Sequence, residues 1–181
     1  MKSRVPFGPL LLLLGACATT PQRARPGTFG SAPLTSAPER VTAPSVPSLE
    51  GIPQAVRVGL TVYVSGMVPV DSAGRIVGGD DLEAQVRQAV TNLNAVVRAA
   101  RGLPGDVVKV TLYLKDPSPA AIASARGALL DGLDRLTPPA LTVVGVASLP
   151  EPGMRVMLDA TAQLRSEFPD RARMVEGDRP Q

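Results

Sequence analysis

The 181-residue sequence contains no histidine, no tryptophan and a single cysteine. The lack of histidine excludes serine–histidine and cysteine–histidine catalysis, and it excludes histidine-ligated metal sites. A single cysteine leaves no internal disulfide to stabilise the fold. Any catalysis must therefore rest on Asp, Glu, Arg, Lys, Ser, Thr or Tyr side chains.

The single cysteine, Cys17, follows a short apolar segment at the N-terminus. Lys2 and Arg4 precede an apolar run at residues 5–14, and two small residues stand directly before the cysteine. This pattern is typical of a secretory signal peptide, since a membrane span needs roughly 20 apolar residues. The junction looks like a bacterial lipobox, which predicts that residues 1–16 are removed and that Cys17 carries lipid. The alternative is an ordinary signal peptide whose cysteine is incidental.

An excess of positive charge is also missing. The whole sequence has a formal net charge of +3, and removing Lys2 and Arg4 with the signal peptide leaves +1. No basic run interleaved with aromatic residues occurs, and only 3% of the residues are aromatic. Nucleic acid is therefore not an expected partner.

Proline recurs in the segment that follows the cysteine. Residues 17–53 contain seven prolines among Ala, Ser and Thr, without apolar periodicity. Such a segment buries too little apolar surface to offset the entropy of ordering it, so it is predicted to be a disordered linker. Its expected role is to hold a domain away from a membrane, and the alternative is an insert without a role. Residues 165–181 are predicted to form a polar, flexible tail.

The remaining residues, 54–164, show alternating strand and helix patterns. Two short strands are predicted at 55–58 and 60–65, a helix at 82–101 that Gly102 ends, and a strand at 107–114. Ser118 and Pro119 open a second helix that is predicted to end near Leu136. Strands at 140–147 and 155–163 complete the order. The resulting β-β-α-β-α-β-β pattern predicts an α+β domain with two helices on one sheet face.

Both faces of the predicted sheet carry apolar side chains. In the last strand Val156 and Leu158 point one way, while Met157 and Asp159 point the other. Two helices cover only one face of a sheet. The second face therefore needs a partner, which we expect to be another copy of the chain.

Short segments along this domain occur in a characteristic order and spacing. They are Gln54-Ala55-Val56, 64–69, 85–89 with Asn92-Leu93, 106–116 and Pro138-Pro139-Ala140. Together they resemble the RidA (YjgF-like) family. The resemblance implies a chorismate-mutase-like fold, a homotrimer around a barrel of sheets, and a pocket at each subunit interface. The best-known members hydrolyse 2-imino and enamine acids to 2-keto acids and ammonia, with neither a metal nor an organic cofactor.

The resemblance also assigns the expected pocket to positions of this sequence. The carboxylate-binding arginine of the family falls at Leu141, the Ser or Thr after it at Thr142, and a small polar or cysteine position at Val143. The glutamate that helps to hold water falls at Met157. The other positions are Ile52 for a tyrosine, Met67 for a glutamine, and Ser65, which is retained.

These departures predict a changed pocket. Losing an arginine that pairs with a substrate carboxylate costs about 2–5 kcal/mol of binding free energy. Imine deamination by the usual mechanism is therefore not expected. Arg155 and Asp159 share a strand face with Met157, so they are candidates to flank the pocket. The alternative is that both are solvated or form ion pairs at a subunit interface.

Two classes of function remain open. The first is a lipid-anchored RidA-like protein that binds a small apolar or carboxylate ligand at subunit clefts, or that serves as a scaffold. The second is an active 2-imino acid deaminase that uses a different anion-binding group. Ribonuclease activity, known for some relatives, is disfavoured by the nearly neutral charge. Because Ala18 is not the aspartate that often retains lipoproteins in the inner membrane, we expect the outer membrane, facing the periplasm.

Overall fold

The computed structural model of the chain describes residues 37–48 and 51–165. Its strands are β1 (Glu39–Val41), β2 (Ala55–Val58), β3 (Thr61–Met67), β4 (Val107–Lys115), β5 (Ala140–Val146) and β6 (Val156–Gln163). Its helices are α1 (Leu82–Ala99) and α2 (Pro119–Gly132), and a short 3₁₀ turn at Pro104–Asp106 precedes β4. From β2 onwards this order is the predicted one, so the α+β class is confirmed.

The six strands form one mixed sheet in the order β1-β2-β3-β6-β4-β5. β4 and β5 are parallel, and every other neighbouring pair is antiparallel. The parallel pair requires a crossover, which α2 provides. The last strand, β6, lies between β3 and β4, so side chains distant in sequence become neighbours at the centre of the sheet.

Both helices cover the same face of the sheet. The buried stripe of α1, with Val86, Val90, Leu93 and Val97, joins the inward side chains of the strands in one core. α1 contacts β3 and β6, and α2 contacts α1. In β6 the residues from Val156 to Ala162 alternate strictly between buried and partly exposed, as the sequence predicted.

The ends of the helices differ from the predicted ones. α1 ends at Ala99, and Arg101 rather than Gly102 adopts the left-handed conformation, with φ of 70°. The glycine at position 102 is explained by close packing and not by a left-handed conformation, because a Cβ there would lie 2.7 Å from Leu164 Cδ2. α2 begins after the N-cap Ser118, as predicted, but it ends at Gly132. The side chain of Asp134 binds the amide of Leu136 at 2.9 Å and forms a turn where the sequence pattern predicted helix.

The fold begins before Gln54, which corrects the predicted linker. β1 pairs with β2, and Val41, Ala43 and Val46 are buried. The reason is the side chain of Gln54, which is only 3% exposed and binds the backbone of this segment. The prolines between residues 37 and 48 all occupy exposed positions, where a missing N–H costs little.

The predicted signal peptide, the lipid site at Cys17, the linker before residue 37 and the tail after residue 165 lie outside the described residues. Within the described ranges, no helix is long and apolar enough to cross a membrane. The lipid anchor and the flexible tail therefore stay predictions.

Candidate functional site

The sheet face opposite the helices carries the side chains that alternate with the buried ones. We call it the outer face. Its central residues are Val56, Tyr63, Thr111, Tyr113, Thr142, Val144, Met157, Asp159 and Thr161. Tyr63 is 54% exposed and Val144 36% exposed. The centre of the outer face thus presents aromatic, aliphatic, thioether and threonine side chains around a single acidic side chain.

A β-bulge shapes the centre of the outer face. Val64 pairs with Ala160 and Met67 pairs with Leu158, so Ser65 and Gly66 together stand opposite Asp159. A Cβ at Gly66 would lie 2.8 Å from the Sδ of Met157. The methionine side chain therefore packs directly over the glycine backbone of the bulge.

Tyr113 and Asp159 form a hydrogen-bonded pair beside this methionine. The phenol of Tyr113 donates to Oδ2 of Asp159 at 2.8 Å. Tyr113 stands opposite Met157 and Asp159 opposite Thr111, so the two partners are diagonal neighbours across β4 and β6. The hydrogen bond, with the charge of the carboxylate, raises the pKa of Tyr113 above its ordinary value of 10.0. Among the described residues, no cationic side chain forms an ion pair with Asp159.

Ser65 and Thr142, the two polar residues predicted to belong to the pocket, have different surroundings. The backbone N–H and the hydroxyl of Ser65 both donate to the carbonyl of Gln54 at 2.9 Å. This serine therefore stabilises the junction between β2 and β3. Thr142 is exposed on β5, opposite Thr111.

The four other positions of the predicted pocket do not lie beside Met157 within one chain. Leu141 and Val143 lie on the helix side of β5 and pack against the core. Met67 is buried in the core, opposite Leu158. Ile52 is 54% exposed just before β2. Within one chain, the positions expected for the pocket therefore do not form a single site.

Arg155 points away from Asp159. Its Nη1 donates to the carbonyl of Asp80 at 2.9 Å, and its backbone N–H donates to Oε1 of Gln85 at 2.7 Å. The guanidinium therefore belongs to the loop before α1. Of the two charged residues that were predicted to flank the pocket, only Asp159 lies with Met157 at the centre of the outer face.

Three amide side chains on α1 hold the loops around this region. Gln85 donates to the carbonyl of Gly153, while Asn92 binds the carbonyls of Val68 and Val70, each at 2.8–2.9 Å. Gln88 adds a bond to Val70 at 3.1 Å. Sequence reasoning used these residues only as family markers. The sequence feature that indicates their structural role is an uncharged amide side chain within a helix stripe that is otherwise apolar, because a buried amide needs hydrogen-bond partners.

Comparison with known proteins settles the family. The model of the family described as endoribonuclease L-PSP matches residues 45–164, which include β2 to β6 and both helices. The chain belongs to this family, the RidA (YjgF-like) family. The match begins before residue 54, in agreement with the early start of the fold.

Individual members of the RidA family are similar over most of their length. A protein of Salmonella typhimurium named 2-iminobutanoate/2-iminopropanoate deaminase is 36% identical over 112 residues, which are 62% of this chain and 86% of the relative. The Escherichia coli protein of the same name is 34% identical over 113 residues, with the same coverage. The crystal structure of RidA from Psychrobacter has a TM-score of 0.61 and 29% identity, and covers 70% of this chain and 99% of that one. These likenesses support the predicted chorismate-mutase-like fold.

No group of three or more acidic, histidine or cysteine side chains that could hold a metal ion occurs within residues 37–48 and 51–165.

Proposed function

We propose that this chain is a RidA-family protein that binds a small ligand between copies of itself and does not deaminate 2-imino acids by the usual mechanism of the family. The observation that supports this most directly is the placement of Met157. At the position expected for the water-holding glutamate, its thioether packs over Gly66 on the outer face. A methionine can neither accept a strong hydrogen bond from water nor act as a base.

The proposed loss of the anion-binding group supports the same conclusion. Leu141 stands where the family pattern has its arginine, and its side chain packs against the core. A leucine cannot pair with a substrate carboxylate. We therefore infer that the pocket favours ligands other than the small 2-imino acids of the named relatives.

The proposed assembly is a homotrimer joined through the outer face. Val56, Tyr63, Val144 and Met157 form an apolar surface there that the helices do not cover. Burying such a surface between copies removes it from water at about 25 cal/mol per Å². Light scattering on the unprocessed full chain carrying Cys17→Ser should give three times its monomer mass of about 18.8 kDa. A monodisperse monomer would contradict the assembly.

The proposed location is the cell envelope, with lipid on Cys17 and the outer membrane, facing the periplasm, as the site of anchoring. Support comes from the sequence of residues 1–17. Mass spectrometry of the N-terminal peptide should show a diacylglyceryl group on Cys17. A peptide that retains residues 1–16 or an unmodified thiol would contradict the anchor.

An active deaminase is the second candidate, and the 36% identity to a protein named as a deaminase favours it. It would need another cation for the substrate carboxylate. Lys109 lies on the outer side of β4, opposite Thr161, and is exposed. We consider it the best-placed replacement in the described part of the chain.

Pyruvate release separates the two candidates. A pyridoxal-phosphate dehydratase generates 2-aminoacrylate, and pyruvate formation is followed with and without the full chain carrying Cys17→Ser. We expect no acceleration by this protein and a gain in the double variant Leu141→Arg with Met157→Glu. The matched control is Leu136→Arg with Met157→Glu. Leu136 is 91% exposed, so an arginine at this position adds the same charge away from the pocket.

Acceleration without these substitutions would refute the proposal and establish the deaminase. In that case, loss of the acceleration in Lys109→Ala would identify the replacement cation. If the double variant folds and gains nothing over its control, the pocket has diverged beyond these two positions, and the absence of activity in the parent chain still supports the proposal.

A further inference from the structure

We propose that the Tyr113–Asp159 pair makes the outer-face site selective for a small protonated amine with an apolar substituent. The inference rests on the ligand-binding function proposed above and names the chemical class of its ligand. Asp159 is the single acidic side chain among the central residues of the outer face, at the middle of the sheet where β3, β6 and β4 meet.

The hydrogen bonding of Asp159 leaves room for a second donor. Tyr113 donates to Oδ2 at 2.8 Å, and it brings no charge. No described side chain supplies a positive charge to the carboxylate. Once a second copy covers the outer face, an ionised carboxylate without a cationic partner is strongly unfavourable. A bound ammonium group would supply both the charge and a donor for Oδ1.

The surroundings of the pair fit the rest of such a ligand. Met157 and Val144 stand on either side of Tyr113 in neighbouring strands, and both present apolar surface. The ring of Tyr113 can also attract a cation across its face. With Leu141 and Met157 at the positions of the family's charged residues, Asp159 is the central charge that remains, and its sign favours a cation over a carboxylate.

A cation from a second copy is the competing explanation. Lys109 and Lys115 are exposed at the two ends of β4, and within one chain neither pairs with Asp159. A lysine of another copy could neutralise Asp159 and leave no role for an amine ligand. In that case Asp159→Asn would weaken the assembly, which provides a way to tell the two explanations apart.

The test uses three four-carbon probes that differ in charge: butylammonium chloride, sodium butyrate and butan-1-ol. They are titrated at pH 7 into the full chain carrying Cys17→Ser, labelled with ¹³C on the methionine methyl groups. The Met157 methyl signal, assigned with Met157→Leu, reports binding. The variant Asp159→Asn keeps the shape of the side chain and removes its charge. Asp131→Asn makes the same change on the exposed surface of α2 as a matched control.

We expect a saturable shift with butylammonium that weakens about tenfold or more in Asp159→Asn, since hydrogen bonds to charged groups are the strong ones. Asp131→Asn should bind as before, and butyrate should produce no saturable shift. Equal or tighter binding of butyrate, unchanged amine affinity in Asp159→Asn, or loss of the oligomer in that variant would each overturn the inference.

These outcomes are distinct from failure of the proposed function. Binding of butyrate or butanol in preference to the amine leaves a ligand site between copies and removes only its amine selectivity. A monomer that binds none of the three probes refutes both proposals.

Discussion

Gln54 fastens the N-terminal strand to the rest of the sheet, and replacing it with methionine tests how much this contact contributes to stability. Its Oε1 accepts from the N–H of Ala43 at 2.6 Å, and its Nε2 donates to the carbonyls of Ala43 and Val46. Methionine has a similar length and no hydrogen-bonding amide. The substitution Gln54→Met therefore removes the polar contacts with little change in volume.

The expected loss follows from the backbone groups that remain unpaired. The Ala43 carbonyl keeps a second partner, the N–H of Val46 at 3.0 Å. The N–H of Ala43 and the carbonyl of Val46 lose the partner that Gln54 provides. Each buried group left without a partner costs about 1–3 kcal/mol. Fraying of the segment lets water reach both groups and reduces this cost. We therefore expect Gln54→Met to lower the free energy of unfolding by about 2 kcal/mol in total.

Urea unfolding followed by circular dichroism, at one fixed protein concentration, measures this loss in the free energy of unfolding. Hydrogen exchange at the Ala43 amide should become faster in Gln54→Met. The matched control is Gln163→Met, because Gln163 is exposed and accepts one surface hydrogen bond from Thr61. The control should change stability by less than about 0.5 kcal/mol. Equal effects of the two substitutions, or unchanged exchange at Ala43, would refute the reasoning.

Two glycines of α2 should respond in opposite directions to alanine. A Cβ at Gly132 would lie 2.5 Å from Val90 Cγ1, so Gly132→Ala should lower the free energy of unfolding, measured in urea, by about 1–3 kcal/mol. At Gly127 nothing lies within 4 Å of the Cβ position, so Gly127→Ala should raise the free energy of unfolding by about 0.5–1 kcal/mol. Equal signs would contradict this packing. The chain has two tyrosines and no tryptophan, so an absorbance titration resolves both phenols. Tyr113 should ionise above the ordinary phenol pKa of 10.0, and Asp159→Asn should lower the pKa of Tyr113; an unchanged pKa of Tyr113 in that variant would exclude the hydrogen bond. Because folding raises the pKa of Tyr113, the hydrogen bond to Asp159 contributes fully to the free energy of unfolding below pH 10. This contribution is lost as the pH rises through the folded-state pKa of Tyr113.

Local patterns predicted the helices and most strands because each of these elements buries one face. The apolar stripe of α1 and the alternation in β6 both report which side chains meet the core. The ends of elements were less predictable. α2 ends at Gly132, and beyond it the side chain of Asp134 binds the amide of Leu136; helical periodicity contains no information about such a competing contact.

The composition of the N-terminal segment was misleading for a related reason. Prolines at exposed positions do not prevent a short edge strand, provided that another part of the chain satisfies its backbone. That part is Gln54, 11 residues beyond Ala43, and the sequence signal for it was only a family marker. The proline-rich composition indicates only how little apolar surface the segment can bury by itself. In the fold, pairing with β2 and the hydrogen bonds of Gln54 stabilise it.

The sequence by itself determined the α+β class and the family, because these depend on residue type and spacing. Tertiary structure alone decided what the outer face presents. Tyr113 meets Asp159 from 46 positions away, since β6 inserts beside β4, and a bulge brings the Gly66 backbone against the Met157 thioether. Strand order and register set these neighbours, and no local pattern encodes them.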